Sequence, residues 1–522
     1  MTTHSNRGVV LAIIMASYLM IVIDISIVLT GLPRIKSALG FTPAGLSWIQ
    51  NAYTLTFGGF LLLGARAGDI LGRRRMFILG LAIFTLASLA IGAAQSPAWM
   101  IAFRAVQGFG AAVLAPSTLA LISTHFDEGP ERTRALAWYA AAAGIGATVG
   151  LVLGGLLADL ISWRAGFLIN LPIGIALIAG SLRYIRETPL HRGQFDLAGA
   201  VSSTLGMFAL VFGIVEAAEA GWGSPLTYGN IAIGLVLLAG FLWFERHAKQ
   251  PLLPLALLTN SRRNGAYAAR LLFLCGMAGF WFFTAQYLQG VLGFSPMLAG
   301  LAFVPVTLPQ FITSVTVPVA ARRFGQRRIL LVGFTLCVVG VAWQGLLAPY
   351  ASYLGGVMIP MILVGLGQGW VLGPLTVAGV AGVEHQNAGA ASGVLNVAHQ
   401  LGASLGLAIL VVIYASGGAP GPGSDAPVHE AIGMAQHTGR ALEAAALFLL
   451  AALLVSGDTS ALRLEIRAMP SVRSMIGITK LRNTKPGQMS RRLQSKPPHK
   501  TVRCSVTVQC QTHLHHRRIS SC

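Results

Sequence analysis

Three ionisable residues stand inside stretches of sequence too apolar to solvate them. Asp24 lies in an apolar run over 9–31, Arg104 in one over 98–122 and His399 in one over 391–415. A carboxylate in such surroundings is costly to ionise unless it is paired or hydrated, which suits a group that takes up and releases protons. The plainer alternative for Asp24 is a permanently paired acid that only joins helices. Arg104 keeps its charge under all ordinary conditions. It could drive a proton off a nearby acid when one conformer brings the two together, or be a fixed charge at a helix end. Spacing alone does not say whether it meets Asp24. His399, between Asn396 and Gln400, titrates near neutrality and is a second candidate carrier; a hydrogen-bonded packing residue is the blander reading.

The elements that must position these residues follow from composition. Of 522 residues, 54% are hydrophobic and 10% charged, with a mean hydropathy of +0.69. Soluble globular chains carry about 25% charged residues, so a cytosolic enzyme and a nucleic-acid binder are both excluded despite a formal net charge of +20. A membrane-crossing helix needs about 20 mostly apolar residues. The sequence predicts such spans near 9–31, 47–67, 76–95, 98–122, 134–158, 165–182, 196–216 and 228–245. Six more are predicted near 270–292, 297–319, 328–349, 353–378, 391–415 and 440–456, the last being the shortest. The expected fold is an all-α polytopic membrane protein with fourteen helices.

Loops after even-numbered spans carry eighteen Lys and Arg, among them Arg66, Arg73, Arg74, Arg75, Arg262, Arg263 and Arg270. Loops after odd-numbered spans carry four: Arg34, Lys36, Arg164 and Arg440. Basic loops stay in the cytoplasm, so both termini are expected there. Glu216 and Glu219 would close the seventh span at the outer face, in solvent. No cleavable secretory leader is expected.

Residues 461–522 hold 13 Lys and Arg against one acid. This basic, apolar-poor segment reads as a disordered cytoplasmic tail or as non-native sequence. Its Cys504, Cys510, His513, His515, His516 and Cys522 match no standard zinc spacing, so no metal is expected. Cys275 and Cys337 lie within apolar runs, and no disulfide framework is implied.

The chain repeats itself. GDILGRRR (68–75) matches RRFGQRR (322–328), with Gly72 on Gly325; VLAPST (113–118) matches VLGPLT (371–376), with Pro116 on Pro374; GATVGL (146–151) matches GASLGL (402–407). Three ordered matches at nearly one offset span eight helices. Two six-helix halves with two inserted helices satisfy this. The expected division is 1–190, 191–260, 261–457 and a tail over 458–522. Repeated helical halves place a site at their interface and alternate access by rocking, which points to a secondary transporter.

The motifs resemble those of the major facilitator superfamily, specifically its fourteen-helix drug:proton antiporter branch. The similarity lies in ARAGDILGRRR (65–75), IDISIVLTGLP (23–33), RAVQGFGAA (104–112), SWRAGFLINLPIG (162–174), FDLAGA (195–200) and QYLQGVLGFSP (286–296). GATVGLVLGG (146–155) keeps that branch's glycines but has Leu151 where the family usually has Pro. The resemblance implies proton coupling through Asp24 and Arg104. It also implies a cytoplasmic conformational latch at Asp69, Gly72, Arg73 and Arg74, with Arg322, Arg323, Arg327 and Arg328 as its degenerate partner. Gly146, Gly150, Gly154 and Gly155 form a ladder with GxxxG spacing that permits close helix approach. Gln50, Asn51, Tyr53, Gln107, Trp281, Gln286 and Tyr287 are candidates to line a substrate cavity, with Trp48 equally suited to an interfacial anchor.

The expected function is export of amphipathic, cationic or hydrophobic, small molecules in exchange for protons across a bacterial cytoplasmic membrane. GxxxxGK[ST] is absent, so the proton-motive force, and no cofactor, supplies the energy. The expected partners are the small-molecule substrate, protons and the lipid bilayer, with no nucleic acid, and the chain is expected to be a monomer. A proton symporter or uniporter for a small nutrient and a non-transporting membrane sensor are the competing readings. No nucleophile, metal or cofactor constellation supports an enzyme.

Overall fold

Helix-starting and helix-stopping residues recur along the chain and divide it. Ser96, Ser162, Asp196, Asn260 and Ser295 each accept a hydrogen bond from a backbone N–H of the helix that follows, satisfying groups that a helix start leaves open. The structure is a computed structural model and describes residues 3–126, 130–188, 190, 196–248, 255–346, 352–383, 388–416 and 426–458. The basic segment read as a tail lies outside the described residues, apart from Asp458.

Every regular element among the described residues is helical. The first group comprises α1 (Thr3–Leu39), α2 (Trp48–Leu71), α3 (Arg73–Gly92), α4 (Pro97–His125), α5 (Pro130–Leu160), α6 (Trp163–Leu168) and α7 (Asn170–Tyr184). Two helices follow, α8 (Leu197–Ala220) and α9 (Pro225–His247). The last group comprises α10 (Ser261–Gly290), α11 (Pro296–Ala302), α12 (Val304–Phe324), α13 (Gln326–Gly345), α14 (Ile359–Val380), α15 (Ala388–Ala415) and α16 (Ala426–Asp458). α6 with α7, and α11 with α12, each make one broken span, so each group supplies six crossings. Thirteen stretches are long and apolar enough to cross a membrane, and the apolar part of α5 over Ile145–Leu160 adds a shorter fourteenth.

The sequence repeat is also a packing repeat. Gly72 between α2 and α3 has φ +105°, and Gly325 between α12 and α13 has φ +86°, a region that favours glycine. Gly146 and Gly150 of α5 lie against Leu19, Val22 and Ile23 of α1. Their counterparts Gly402 and Gly406 of α15 lie against Leu271 and Cys275 of α10. Around the bundle, Ile233, Leu235, Val236 and Trp243 of α9 are exposed, as lipid-facing side chains are.

Two expectations need correcting. The last crossing is not short: α16 has 33 residues, because its helix begins well before the apolar run. Arg270 is not a loop residue. Asn260 starts α10 at Ser261, so Arg270 sits in the third turn, with 8% of its surface exposed.

Candidate proton and substrate site

Asp24 comes from α1, Arg104 and Gln107 from neighbouring turns of α4, Ser88 from α3 and Asn170 from the first position of α7. The α6–α7 break turns Asn170 inward. One Nη of Arg104 reaches the Asp24 carboxylate at 2.7 Å, and neither side chain is exposed. Gln107 Nε2 donates to Asp24 Oδ1 at 2.8 Å and Asn170 Nδ2 donates to the same oxygen at 2.9 Å. Gln107 Oε1 accepts from Arg104 at 2.6 Å, so this side chain bridges both members of the pair. Gln107 and Asn170 also reach Ser88 Oγ, at 2.8 and 3.2 Å.

Helix α2 closes the cluster. Arg104 Nε donates to the Ile49 carbonyl at 2.9 Å, and its guanidinium carbon lies 4.4 Å from the centre of the Tyr53 ring, a cation–π arrangement. Among the described residues, the second Nη of Arg104 and the Tyr53 hydroxyl have no hydrogen-bond partner. The result is a neutral, water-poor ion pair whose acid is reached by donors on three sides.

The other cavity candidates divide by burial. Gln50 and Trp281 are half-buried, Trp281 stacking on Phe303 with ring centres 5.3 Å apart. Gln107, Tyr53 and Tyr287 are fully enclosed, Gln286 nearly so, and Asn51 is buried with neither amide atom partnered among the described residues. Trp48 stacks on Phe208 of α8 at 6.2 Å. Glu219 is engaged, accepting a hydrogen bond from the Thr42 hydroxyl.

His399 comes from α15, in the last helix group, and does not join the Asp24 cluster. Its Nδ1 accepts from Arg270, at 3.2 Å from Nε and 3.0 Å from one Nη. Arg270 also donates to the Leu372 carbonyl and to Thr376 Oγ1, at 3.2 and 3.3 Å. Of this group only His399 was a candidate in the sequence reading. The Asn260 cap in front of SRRNGAYAAR was the available signal for placing Arg270 inside a helix.

At the arginine-rich end, Arg73 bonds Asp69 at 2.6 Å one turn back. Arg74 donates to the carbonyls of Leu182 and Ser181, at 2.6 and 3.4 Å. Glu187, which carried no sequence signal, accepts from the backbone N–H of Arg74 and of Arg75 at 3.0 and 3.2 Å. Its carboxylate thus closes the N-terminus of α3, where helix N–H groups favour negative charge. Asp69, Arg73 and Arg74 are engaged within α2, α3, α7 and the segment after it. In the second repeat, Arg327 donates to the Gly457 carbonyl at 2.9 Å and Arg322 to Pro318 at 3.2 Å.

The glycine ladder faces two ways. Gly146, Gly150 and Gly154 meet α1, whereas Gly155 meets the backbone of Pro296 and Met297 on α11. Gly300 of α11 in turn packs on the Leu151 carbonyl, so the position where the motif departs from Pro lies in the contact between helix groups. Nearby, Gln289 of α10 donates to the Thr30 carbonyl of α1 at 3.1 Å. Thr54 and Ser404 hydroxyls meet at 2.5 Å between α2 and α15.

The sequence profile described as Major Facilitator Superfamily matches residues 14–407. Over 455 residues the chain is 40% identical to the cephamycin export protein CmcT of Amycolatopsis lactamdurans, covering 86% of this chain and 91% of that one. It is 38% identical over 404 residues to the puromycin resistance protein pur8 of Streptomyces alboniger, covering 77% and 80%. Among solved structures, a bacterial homologue of the human lysosomal transporter Spinster, inward-facing and occupied, is similar with a TM-score of 0.63. That likeness is at 16% identity and covers 89% of this chain and 99% of that one.

Proposed function

We propose that this chain, which belongs to the Major Facilitator Superfamily, exports amphipathic small molecules across a bacterial cytoplasmic membrane in exchange for protons. Its relatives include a cephamycin export protein and a puromycin resistance protein, which supports antibiotics or secondary metabolites as cargo. The arginine-rich end faces the cytoplasm, with both termini there, because that end gathers the basic loops. The halves 1–190 and 261–457 rock about their interface, with 191–260 as the inserted pair.

The observation that carries the coupling is the buried Asp24–Arg104 pair. A proton arriving at Asp24 cancels the charge that holds Arg104. The guanidinium then keeps only neutral acceptors, the Gln107 Oε1 and the Ile49 carbonyl, and the tie between α1 and α4 weakens. Breaking one side of a buried pair leaves an uncompensated charge, so protonation favours a different helix arrangement. Release of the proton restores the pair. The proton-motive force drives the cycle and no cofactor enters it. Asp69, Gly72, Arg73 and Arg74 act as the cytoplasmic latch, exchanging bonds between the two arrangements.

The test is proton movement in inverted vesicles with an acid interior. Addition of a lipophilic antibiotic should dissipate the gradient if cargo and protons exchange. A gradient collapsed only by cargo moving with the protons would assign symport. No response to any compound by folded protein would contradict export.

A further inference from the structure

The charged residues buried among the described residues are Asp24, Arg104, Glu245, Arg263 and Arg270. Asp24 and Arg104 neutralise each other. Arg270, in the other helix group, is 8% exposed, and its acceptors among the described residues are neutral: His399 Nδ1, Thr376 Oγ1 and the Leu372 carbonyl. Among the described residues no carboxylate lies within ion-pair distance of it. A buried cation without a counter-charge is costly, and a charged residue held inside a membrane bundle marks a pathway or a ligand.

The geometry around Arg270 is that of an unfilled fork. Its Nε and one Nη converge on a single neutral nitrogen, at 3.2 and 3.0 Å, where a carboxylate would offer one oxygen to each. One further N–H of that Nη is left over once these bonds are counted. Helix α1, which packs against α10, carries Tyr18. Tyr18 stacks on Tyr139 of α5, with ring centres 4.0 Å apart and planes 16° from parallel. The Tyr139 hydroxyl is fixed to Thr118 at 2.9 Å. Tyr18, Tyr139 and His399 are all half-buried and Thr376 is exposed. A cation from one helix group and a stacked aromatic pair from the other thus belong to helices that pack together, α10 and α1, and the constellation shares no residue with the Asp24 cluster.

We propose that Arg270 anchors the anionic group of the transported molecule, so that the cargo is an amphipathic carboxylate and not a lipophilic cation. This rests on the exporter reading above and names its substrate class. The carboxylate takes the Nε–Nη edge of Arg270 in place of His399, while the apolar body lies against Tyr18 and Tyr139. A ligand held this way touches both halves, which lets its presence bias their rocking. With Asp24 already neutralised by Arg104, that acid offers a cargo cation no free negative charge, whereas Arg270 offers a cargo anion a positive one.

The test is equilibrium binding to the full chain in phosphatidylcholine nanodiscs, with three fluorescent probes of similar size: dansyl-phenylalanine, its amide and dansyl-cadaverine. The carboxylate should bind about ten-fold or more tightly than the amide, the scale of one charge-assisted hydrogen bond. Arg270→Gln should erase that preference, bringing the affinity for the carboxylate down to that for the amide. Arg270→Lys, which keeps the charge if the neutral variant fails to fold, should retain part of it. Equal or absent binding of the carboxylate, or a preference that survives Arg270→Gln, would overturn the proposal. So would loss of the preference on adding phosphatidylglycerol to the discs, which would assign the guanidinium to lipid phosphate. Binding is read without a proton gradient, so its failure leaves proton-coupled export standing, and failure of coupling leaves the binding result standing.

Discussion

The carboxylate of Asp24 and the guanidinium of Arg104 meet at 2.7 Å from helices 80 residues apart in sequence, with neither side chain exposed. Each is the main reason the other can stay charged inside the bundle. Arg104→Gln should therefore destabilise the protein by about 3–5 kcal/mol, the usual result of orphaning a buried charge, read as a lowered Tm in detergent. Adding Asp24→Asn to Arg104→Gln should recover most of that loss. Equal Tm values for Arg104→Gln and the double variant would show that the pair is not energetically coupled.

Gly72 and Gly325 occupy equivalent turns at positive φ, but their surroundings differ. A Cβ on Gly72 would lie 2.7 Å from the Glu187 carboxyl carbon, whereas none of the neighbouring atoms comes within 4 Å of one on Gly325. Both Gly→Ala changes carry a backbone penalty of about 1–3 kcal/mol. Gly72→Ala should cost more, because it also displaces the carboxylate that closes the start of α3. Thermal unfolding of the two variants side by side checks this, and equal losses would contradict the role given to Glu187.

The α5–α11 contact brings backbones together at Gly155 and Gly300. Gly300→Val overpacks that contact, at a cost of about 1–3 kcal/mol, and should part the helices there. Thr30, whose carbonyl accepts from Gln289 close by, has no exposed surface. A cysteine placed at Thr30, in a chain otherwise free of cysteine, should react with a membrane-impermeant thiol reagent much faster when Gly300→Val is present. Unchanged labelling would show that this contact does not hold that end of the interface shut.

His399 has its Nδ1 engaged by the Arg270 guanidinium, so that nitrogen carries no proton in this arrangement. His399→Asn keeps a hydrogen-bonding group beside Arg270 and should retain most substrate-driven proton flux in vesicles. Loss of that flux with cargo binding intact would make His399 a proton carrier alongside Asp24.

What the sequence made legible was periodic or local. The spans followed from apolar length, and Gly72 and Gly325 marked equivalent turns because each needs a backbone that glycine adopts readily. Asp24 stood out because a lone acid in an apolar run has few uses. Its partners were not legible, since Arg104, Gln107, Asn170 and Ser88 come together only through the packing of α1, α3, α4 and α7. Glu187 carries no sequence signal, because its role depends on α7 ending beside the start of α3. Hydropathy marks where a helix becomes apolar, not where it begins, so it puts Arg270 in a loop although α10 starts at Ser261. For the same reason it shortens α16, whose first turns are polar.

The central claim is that proton movement passes through Asp24. Reconstituted protein carrying Asp24→Asn, which keeps acceptor and donor atoms at the site but cannot ionise, should be compared with the unmodified chain in acid-interior proteoliposomes. Cargo should dissipate the gradient in the unmodified protein and fail to do so in the variant, while equilibrium binding of the cargo persists in both. Cargo-driven proton flux of undiminished rate in Asp24→Asn would contradict it.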